Sequence, residues 1–264
     1  MQSEKQYIDL YTEAQQLIKE HAAPVLNEVR DKAFEDFRRQ GFPTKKVERY
    51  KYTDMQKLFE PDYGLNLNRL EIPVNPYDTF KCDVPNLSTS LYFIVNDQFY
   101  SKSLPKAKLN DGVIVDSLNH VATERPELVA KYYGRLANTE ADAITALNTM
   151  LAQDGLFIYV PKNVQLERTI QVINILRSDV DLMVNRRVLI VLEEGAKAQF
   201  LFCDHAADDR NFLATQVIEA YVGANANLEL NCLEETHAKN VRVSNVYIEQ
   251  QRDSRASHNV ITLH

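Results

Sequence analysis

Apolar positions in the first 40 residues recur at helical spacing. From residue 3 onward they fall at i, i+3, i+4 and i+7, and Ser3 with Gln6 fits a capping box at the start. Pro24 should end this helix or open the next, which stops at Gly41. The pattern predicts two amphipathic helices, with apolar stripes formed first by Tyr7, Leu10, Tyr11, Ala14, Leu17 and Ile18 and then by Val25, Leu26, Val29, Ala33 and Phe37.

The hydrophobic pattern is irregular over residues 41–90, where prolines interrupt it repeatedly. Short strands are predicted at 91–100 and 111–118, and helices at 126–136 and 139–152. Glycine- and serine-rich linkers are absent from the sequence, so a boundary near Asp154–Gly155 should be packed rather than flexible. Residues 1–153 are therefore predicted to form an N-terminal helical domain with a few short strands.

From residue 156 the pattern changes to short β-branched or aromatic runs. They begin near positions 156, 170, 187, 199, 213, 227, 241 and 258. The segments EEGAKAQFLF (193–202) and YVGANANLEL (221–230) match at an offset of 28 residues, which two successive runs span. A fixed period of roughly 20–50 residues is typical of a solenoid, in which each coil buries its apolar face on the next.

An antiparallel sandwich or barrel would also give evenly spaced strands, usually about 8–12 residues apart. Its tight hairpins favour glycine-containing turns, but residues 156–264 contain only Gly195 and Gly223, one period apart. We therefore predict a parallel β-helix over 154–264, with these two glycines stacked at one corner. Alternation along the strands then directs Phe200, Phe202, Leu228, Leu230 and Cys232 inward, and Leu201, Cys203 and His205 outward.

Composition limits the partners and the compartment. The 264 residues carry a net charge of −7, which argues against non-specific binding to nucleic acid or to anionic membranes. Three widely separated cysteines do not form a disulfide framework. The N-terminus has no apolar signal region, and no run of about 18 apolar residues could span a membrane. A cytoplasmic, thiol-reduced protein is expected.

Three sequence blocks are similar to one known family. They are GFPTKKVERYKYTDM (41–55), ALNTMLAQDGLFIYVPKNVQLE (146–167) and RRVLIVLEEGAKAQF (186–200). Together, and in this order, they resemble the SufB/SufD family of iron–sulfur cluster assembly scaffold proteins. The first block keeps the family pattern at Pro43, Thr44, Lys46, Glu48, Lys51, Tyr52, Thr53 and Asp54, with Tyr50 in place of the usual tryptophan. This block and the short helical region before it favour the SufD branch over the SufB branch.

The resemblance implies a mainly β protein with an α-helical N-terminal domain, a right-handed parallel β-helix and then a C-terminal helical domain. It implies a complex of SufB, SufD and the ATPase SufC, in which the SufD-like subunit has no turnover of its own and is credited with a role in iron supply. A SufB-like subunit would bind along the β-helix, and a SufC-like ATPase through a C-terminal region. No cofactor is expected on this chain alone, and an iron–sulfur cluster would be held transiently in the full complex.

The chain stops at His264, within a predicted strand. Solenoids need a cap at each end, so we expect an incomplete β-helix and a fragment of a longer protein. A self-associating solenoid that forms homodimers is an alternative.

The cysteines and histidines are the candidate metal ligands of the sequence. Cys203 and His205 would share one face of a strand, but a complete site needs further ligands, and a surface cysteine beside a histidine is the favoured interpretation. Cys232 is expected to fill the core, and Cys82 lies in a proline-rich loop. His237 and His258 could belong to a polar stripe that guides iron or sulfur, although a structural role is favoured; His264 is the last residue. No metal site is assigned.

The basic and aromatic residues between Lys45 and Asp54 could contact phosphate or nucleic acid. Glu48 and Asp54 interrupt the positive charge, and no stacking platform accompanies it. We favour a structural latch in which Tyr50 and Tyr52 pack the N-terminal domain on the β-helix.

An enzyme remains the main functional alternative, because parallel β-helices also house polysaccharide lyases and glycosidases. Such enzymes need carboxylates or basic residues clustered along a groove. The acidic candidates are Asp204, Asp208, Asp209 and Glu219, whose spacing suggests a solvated loop. Walker A and dinucleotide-binding glycine motifs are absent from the sequence. The resemblance, with these absences beside it, implies a non-catalytic scaffold, and no catalytic residue is assigned.

Overall fold

The computed structural model describes residues 3–80, 89–102, 109, 112–235 and 237–263. The helices are α1 (Ser3–Glu20), α2 (Pro24–Asn27), α3 (Arg30–Gln40), α4 (Met55–Leu58), α5 (Pro76–Thr79), α6 (Leu118–Glu124), α7 (Pro126–Ala130) and α8 (Ala143–Leu151), with a 3-10 turn at Glu48–Tyr50. The strands are β1 (Thr89–Val95), β2 (Gln98–Phe99), β3 (Ile114–Ser117), β4 (Leu156–Val160), β5 (Thr169–Leu176), β6 (Leu182–Leu192), β7 (Lys197–Ala206), β8 (Phe212–Val222), β9 (Asn227–Glu235), β10 (Asn240–Gln250) and β11 (Arg255–Leu263).

The helical N-terminal region is confirmed, with altered boundaries. The second predicted helix is divided in two. Pro24 opens the short α2, and α3 begins at Arg30. Helix α3 ends at Gln40, because Gly41 adopts a positive φ of 61°. The helix expected at 126–136 ends early, at Ala130. The helix expected from residue 139 begins at Ala143, because the Asp142 side chain caps it by accepting the Thr145 N–H.

The second half is a parallel β-solenoid, as predicted. Successive strands from β4 onward alternate between two sheets, whose orders are β11-β9-β7-β5-β1-β2 and β10-β8-β6-β4-β3. All strand pairs between β4 and β11 are parallel. The earlier strands β1 and β3 extend the same sheets, β1 parallel to β5 and β3 antiparallel to β4. Residues before the predicted boundary at 154 therefore contribute strands to the solenoid sheets.

The predicted 28-residue register holds only for the last coil. Val188 pairs with Leu156 at an offset of 32, Phe212 pairs with Leu182 at 30, and Asn240 pairs with Phe212 at 28. The expected stacking of Gly195 on Gly223 is therefore wrong. Phe200 pairs with Leu230 rather than with Leu228, a shift of two residues in the strand register. Because a shift of two preserves the alternation of faces, the residues predicted to point inward do lie in the solenoid interior.

One corner of the solenoid is built from a column of left-handed residues. These are Asn163, Gly195, Asn225 and Asp253, with φ values of 62°, 70°, 58° and 59°. The N–H groups of the first three donate to the carbonyls of Glu194, Ala224 and Arg252, each of which precedes the next member of the column. Asn and Asp tolerate the left-handed conformation better than other residues with a Cβ, so the corner needs no repeated glycine.

The helices cover the outer face of the five-stranded sheet. One apolar cluster joins α1, α3 and α8 to Met183 and Leu213, and another joins α2, α6 and α7 to Phe157, Leu189 and Val191. The solenoid interior, here called the lumen, holds a separate apolar cluster that includes Phe200, Phe202 and Leu230. Among the described residues, none of the helices has both the length and the apolar character of a membrane span.

Candidate functional site

A layer of polar side chains interrupts the apolar lumen. Arg186 lies two residues before the lumen residue Val188, and Asp204 lies two residues after the lumen residue Phe202, so alternation places both inside. A second apolar cluster lies beyond them, containing Leu176, Leu182, Val184, Phe212 and Ala214. Other polar side chains on lumen positions include Asn174, Gln216, Glu234, Asn240, Arg242, Ser244, His258 and Thr262.

The charges in this layer form one connected network. Arg186 Nη1 lies 2.5 Å from Asp204 Oδ1, and Arg242 Nη1 lies 2.6 Å from Asp204 Oδ2. Arg242 also pairs with Glu234, whose other carboxylate oxygen accepts a hydrogen bond from Thr262 at 3.0 Å. The expectation that Asp204 lies in a solvated loop is wrong, because it is 4% exposed. One buried carboxylate is thus shared by two arginines.

Cys232 and His258 face each other at the edge of this layer. Cys232 is buried in the lumen cluster, as predicted, and its Sγ lies 3.7 Å from His258 Nε2. Burial raises the pKa of the Cys232 thiol to about 11, although Arg242 opposes the shift. Burial and the nearby charge of Arg242 lower the pKa of His258. At neutral pH the pair is a thiol beside a neutral imidazole, which offers one sulfur and one nitrogen donor to a soft ion.

The Cys232 thiol should react slowly in the native protein. With a pKa of about 11, roughly one thiol in a thousand is ionised at pH 8, and only the thiolate is a strong nucleophile. Iodoacetamide labelling followed by peptide mass spectrometry between pH 7 and 10 should show a rate that rises about tenfold per pH unit. The chain unfolded in urea is the control. Native labelling of Cys232 at pH 8 as fast as in urea would contradict the assignment.

The predicted surface pair of Cys203 and His205 takes a different form. Cys203 points away from the lumen, as expected, but it is 3% exposed because Phe93, Ile173 and Ile175 surround it under the segment around α5. The favoured interpretation of Cys203 as a surface cysteine is therefore wrong. His205 is partly buried, with its ring 4.8 Å from that of Phe80, and burial lowers its pKa. Cys82 and His264 lie outside the described residues.

Among the described residues, no group of three or more His, Cys, Asp or Glu side chains could hold a metal ion. His237 lies outside the lumen layer, with its Nε2 3.1 Å from the Asp208 carbonyl oxygen. Asp208 and Asp209 do lie in the loop between β7 and β8, and Asp209 pairs with Lys239 at 2.9 Å.

Glu219 is the second acidic residue for which the loop expectation is wrong. It lies in the middle of β8, is 0% exposed, and its Oε2 is 2.6 Å from Nη2 of Arg187. Its carboxylate also accepts the backbone N–H groups of Gly134, Leu136 and Ala137 at 2.9–3.0 Å. Glu219 therefore joins the N-terminal region to the solenoid. Because Asp204 and Glu219 are both paired with arginines, they do not form the open carboxylate groove of a glycosidase.

The predicted latch at 45–54 is half correct. Tyr50 is buried in the cluster that contains Met183 and Leu213, and its hydroxyl donates to Asp142 at 2.7 Å. Tyr52 is 90% exposed and packs against neither domain, so its predicted role is wrong.

The arginines of the buried ion pairs were not among the residues predicted from the sequence. Arg186 and Arg187 sit side by side in the apolar run LMVNRRVLIVL, and alternation sends one into the lumen and the other to the outer face. The sequence does contain a signal for them, namely two adjacent charged residues in the middle of an otherwise apolar run. Charges buried in such a strand require partners of opposite charge.

Comparison with known proteins identifies the family. The profile of the SufBD protein N-terminal region matches residues 1–172, and the SufBD core domain of SUF system FeS cluster assembly matches residues 174–264. Both matches together extend over the helical region and the solenoid.

Three curated relatives illustrate the similarity. The chloroplastic SufBD family protein ABCI8 of Arabidopsis thaliana is 32% identical over 143 residues, 53% of this chain and 24% of that protein. The SufBD family protein slr0074 of Synechocystis is 32% identical over 135 residues, 50% of this chain and 28% of that protein. The iron–sulfur cluster assembly protein SufD of Bacillus subtilis is 31% identical over 120 residues, 45% of this chain and 27% of that protein. The matched stretches thus span between 24% and 28% of the length of these relatives. The chain belongs to the SufBD family of iron–sulfur cluster assembly proteins.

Proposed function

We propose that this chain is part of a SufD-like scaffold subunit of the SUF iron–sulfur assembly machinery. The observation that carries the proposal is the match of both SufBD profiles, in order, to a helical region followed by a parallel solenoid. The subunit would act in the cytoplasm with a SufB-like protein bound along the solenoid and a SufC-like ATPase bound through a region outside this chain. It would have no turnover of its own.

The iron–sulfur cluster is cargo in this proposal rather than a resident cofactor. Cys232 and His258 offer one soft and one borderline donor, fewer than the four protein ligands of a stable cluster site. A site with two donors suits transient contact with iron or sulfur while the cluster forms within the complex. The neighbouring charges of Arg186, Arg242, Asp204 and Glu234 balance, two positive against two negative, so the layer beside this pair holds no unpaired buried charge.

Reconstitution tests the complex. The full-length protein that contains this chain should co-purify with SufB-like and SufC-like subunits in one size-exclusion peak, and ATP hydrolysis should be found only when the SufC-like subunit is present. A full-length protein that binds neither subunit, or that forms only homodimers, would exclude the proposed role.

The lumen donors are tested separately. In the reconstituted complex, Cys232→Ser and His258→Ala should reduce the cluster formed, measured by visible absorption and by bound iron and sulfide, while assembly of the subunits is retained. The matched control is Cys203→Ser, which changes a buried cysteine on the opposite face of the same sheet. Equal cluster yield in the variants and the control would remove Cys232 and His258 from the mechanism.

A further inference from the structure

The segment 44–54 is an exposed loop that the fold holds in one conformation. Every residue of the segment except Tyr50 is exposed. Tyr50 is buried, and its hydroxyl donates to Asp142 at 2.7 Å. The N–H groups of Val47, Tyr50 and Thr53 each donate to the carbonyl three residues earlier, at 2.9–3.0 Å. The loop is therefore ordered by its own turns and by one buried anchor, so a partner that binds it loses little affinity to ordering of the backbone.

The loop presents an aromatic ring to solvent. Tyr52 is 90% exposed, and Val47 in the same loop is 43% exposed. Lys51 Nζ lies 5.4 Å from the centre of the Tyr52 ring, so the ring stands beside a cation. Tyrosine contributes strongly to interfaces, because a rigid ring covers a large area at a small entropic cost. The fold itself makes no use of this ring, and its contact surface is left for a partner.

The charge of the loop is opposite to that of the chain. The loop carries four exposed basic and two exposed acidic side chains, whereas the whole chain has a net charge of −7. The basic residues are Lys45, Lys46, Arg49 and Lys51, and the acidic residues are Glu48 and Asp54. A surface of this sign attracts a negatively charged partner.

The ion pairs within the loop leave most of this positive charge open to a partner. Lys45 lies 3.7 Å from Asp54, and Lys51 lies 3.9 Å from Glu48, with all four side chains about half exposed or more. Exposed pairs at such distances contribute little. Arg49 lies 3.7 Å from the buried carboxylate of Asp142, which already accepts the Tyr50 hydroxyl.

We propose that the loop 44–54 is a docking surface for an acidic segment of a partner protein, an extended peptide that carries carboxylates beside an apolar side chain. The carboxylates would pair with Lys46 and Arg49, and the apolar side chain would pack on the ring of Tyr52. A nucleic acid fits the loop less well, because the Glu48 side chain is 88% exposed and would face the phosphates, and because stacking of successive bases requires more than one ring. The surface goes beyond the proposed role in cluster assembly, and a peptide tests it without either SUF subunit.

Fluorescence anisotropy with the full-length protein that contains this chain tests the surface. The probe is a fluorescein-labelled peptide made of four Glu-Glu-Leu repeats, and the reference peptides replace every Glu by Gln or every Leu by Ser. The probe should bind at least tenfold more tightly than either reference, a difference of about 1.4 kcal/mol. Its affinity should fall as salt rises from about 0.05 M to about 0.3 M, because salt screens exposed charges. A labelled oligothymidylate of equal length measures binding of nucleic acid.

Variants connect binding to the loop. Tyr52→Ala removes the exposed ring and Lys46→Glu reverses one charge, and each should weaken binding of the acidic peptide about fivefold or more. Tyr52→Phe keeps the ring and should retain binding. The matched controls are Leu70→Ala, which removes an apolar side chain that is 67% exposed, and Lys131→Glu, which reverses an exposed lysine outside the loop. Both controls should bind the peptide as the unchanged protein does.

Urea midpoints verify that each variant folds. Four outcomes would overturn the proposal: no binding of the acidic peptide, equal binding of the glutamine peptide, tighter binding of the oligothymidylate, or unchanged binding by Tyr52→Ala.

Discussion

Replacing Glu219 by alanine should lower the free energy of unfolding by about 3–5 kcal/mol, the usual cost of breaking a buried ion pair by removing one partner. The change leaves the guanidinium of Arg187 buried with its pair lost, and three backbone N–H groups from the segment 134–137 lose their acceptor. The ring of Tyr133, 4.8 Å from the Arg187 guanidinium carbon, compensates only part of the lost charge.

Urea denaturation monitored by circular dichroism measures this effect, and Glu249→Gln is the control. Glu249 lies on the neighbouring strand β10 but is exposed, so its replacement should change stability by less than about 0.5 kcal/mol. The double variant Glu219→Gln with Arg187→Met should recover part of the loss, because it removes both charges together. A Glu219→Ala protein as stable as the Glu249→Gln control would show that the pair does not join the helical region to the solenoid.

The second large effect is expected at Gly155, where an added methyl group should destabilise the protein by about 3 kcal/mol or more. A Cβ at this position would lie 1.9 Å from the carbonyl oxygen of Arg187 and 2.8 Å from its carbonyl carbon. Both are backbone atoms of the central strand β6, so they cannot move away as a flexible side chain would. Overpacking of this kind typically costs about 1–3 kcal/mol, and more when the backbone must shift.

Gly64 provides the matched control for the glycine prediction. It also lies beside the backbone near β6, forming an isolated bridge to Leu182, but its nearest contact with an added Cβ would be 3.4 Å, an ordinary distance. Gly64→Ala should therefore change the free energy of unfolding by less than about 1 kcal/mol, with a small gain possible because alanine restricts the unfolded chain. Thermal and urea midpoints of both variants settle the comparison, and equal stability of the two would contradict the close approach at Gly155.

The solenoid was predictable because period-2 alternation and a long repeat are properties of local sequence. The alternation placed Phe200, Phe202 and Cys232 in the lumen correctly, even though the paired residues were wrong by two positions. The register was less predictable because the coils differ in length, with offsets of 32, 30 and 28 residues. Asn163, Asn225 and Asp253 occupy the corner positions equivalent to Gly195, so the spacing of Gly195 and Gly223 gives a register two residues too short for that coil.

The candidate site was less predictable than the fold. Cys232 was identified as a core residue, but its contact with His258 joins β9 to β11 and depends on how those strands stack. Asp204 and Glu219 looked like surface acids because most carboxylates are exposed. Their burial depends on Arg186, Arg242 and Arg187, which lie 18, 38 and 32 residues away in the chain.

The sequence by itself determined the fold class, the family resemblance and the inward face of Phe200, Phe202, Leu228, Leu230 and Cys232, because periodicity and short motifs are encoded between near neighbours. Only the tertiary structure decided which residues of successive coils pair, which acidic residues are buried and which arginines form ion pairs with them. Those outcomes depend on the balance between desolvation and pairing of charges from different coils. That balance is set by distances across the lumen and between the solenoid and its helices, which no local pattern contains.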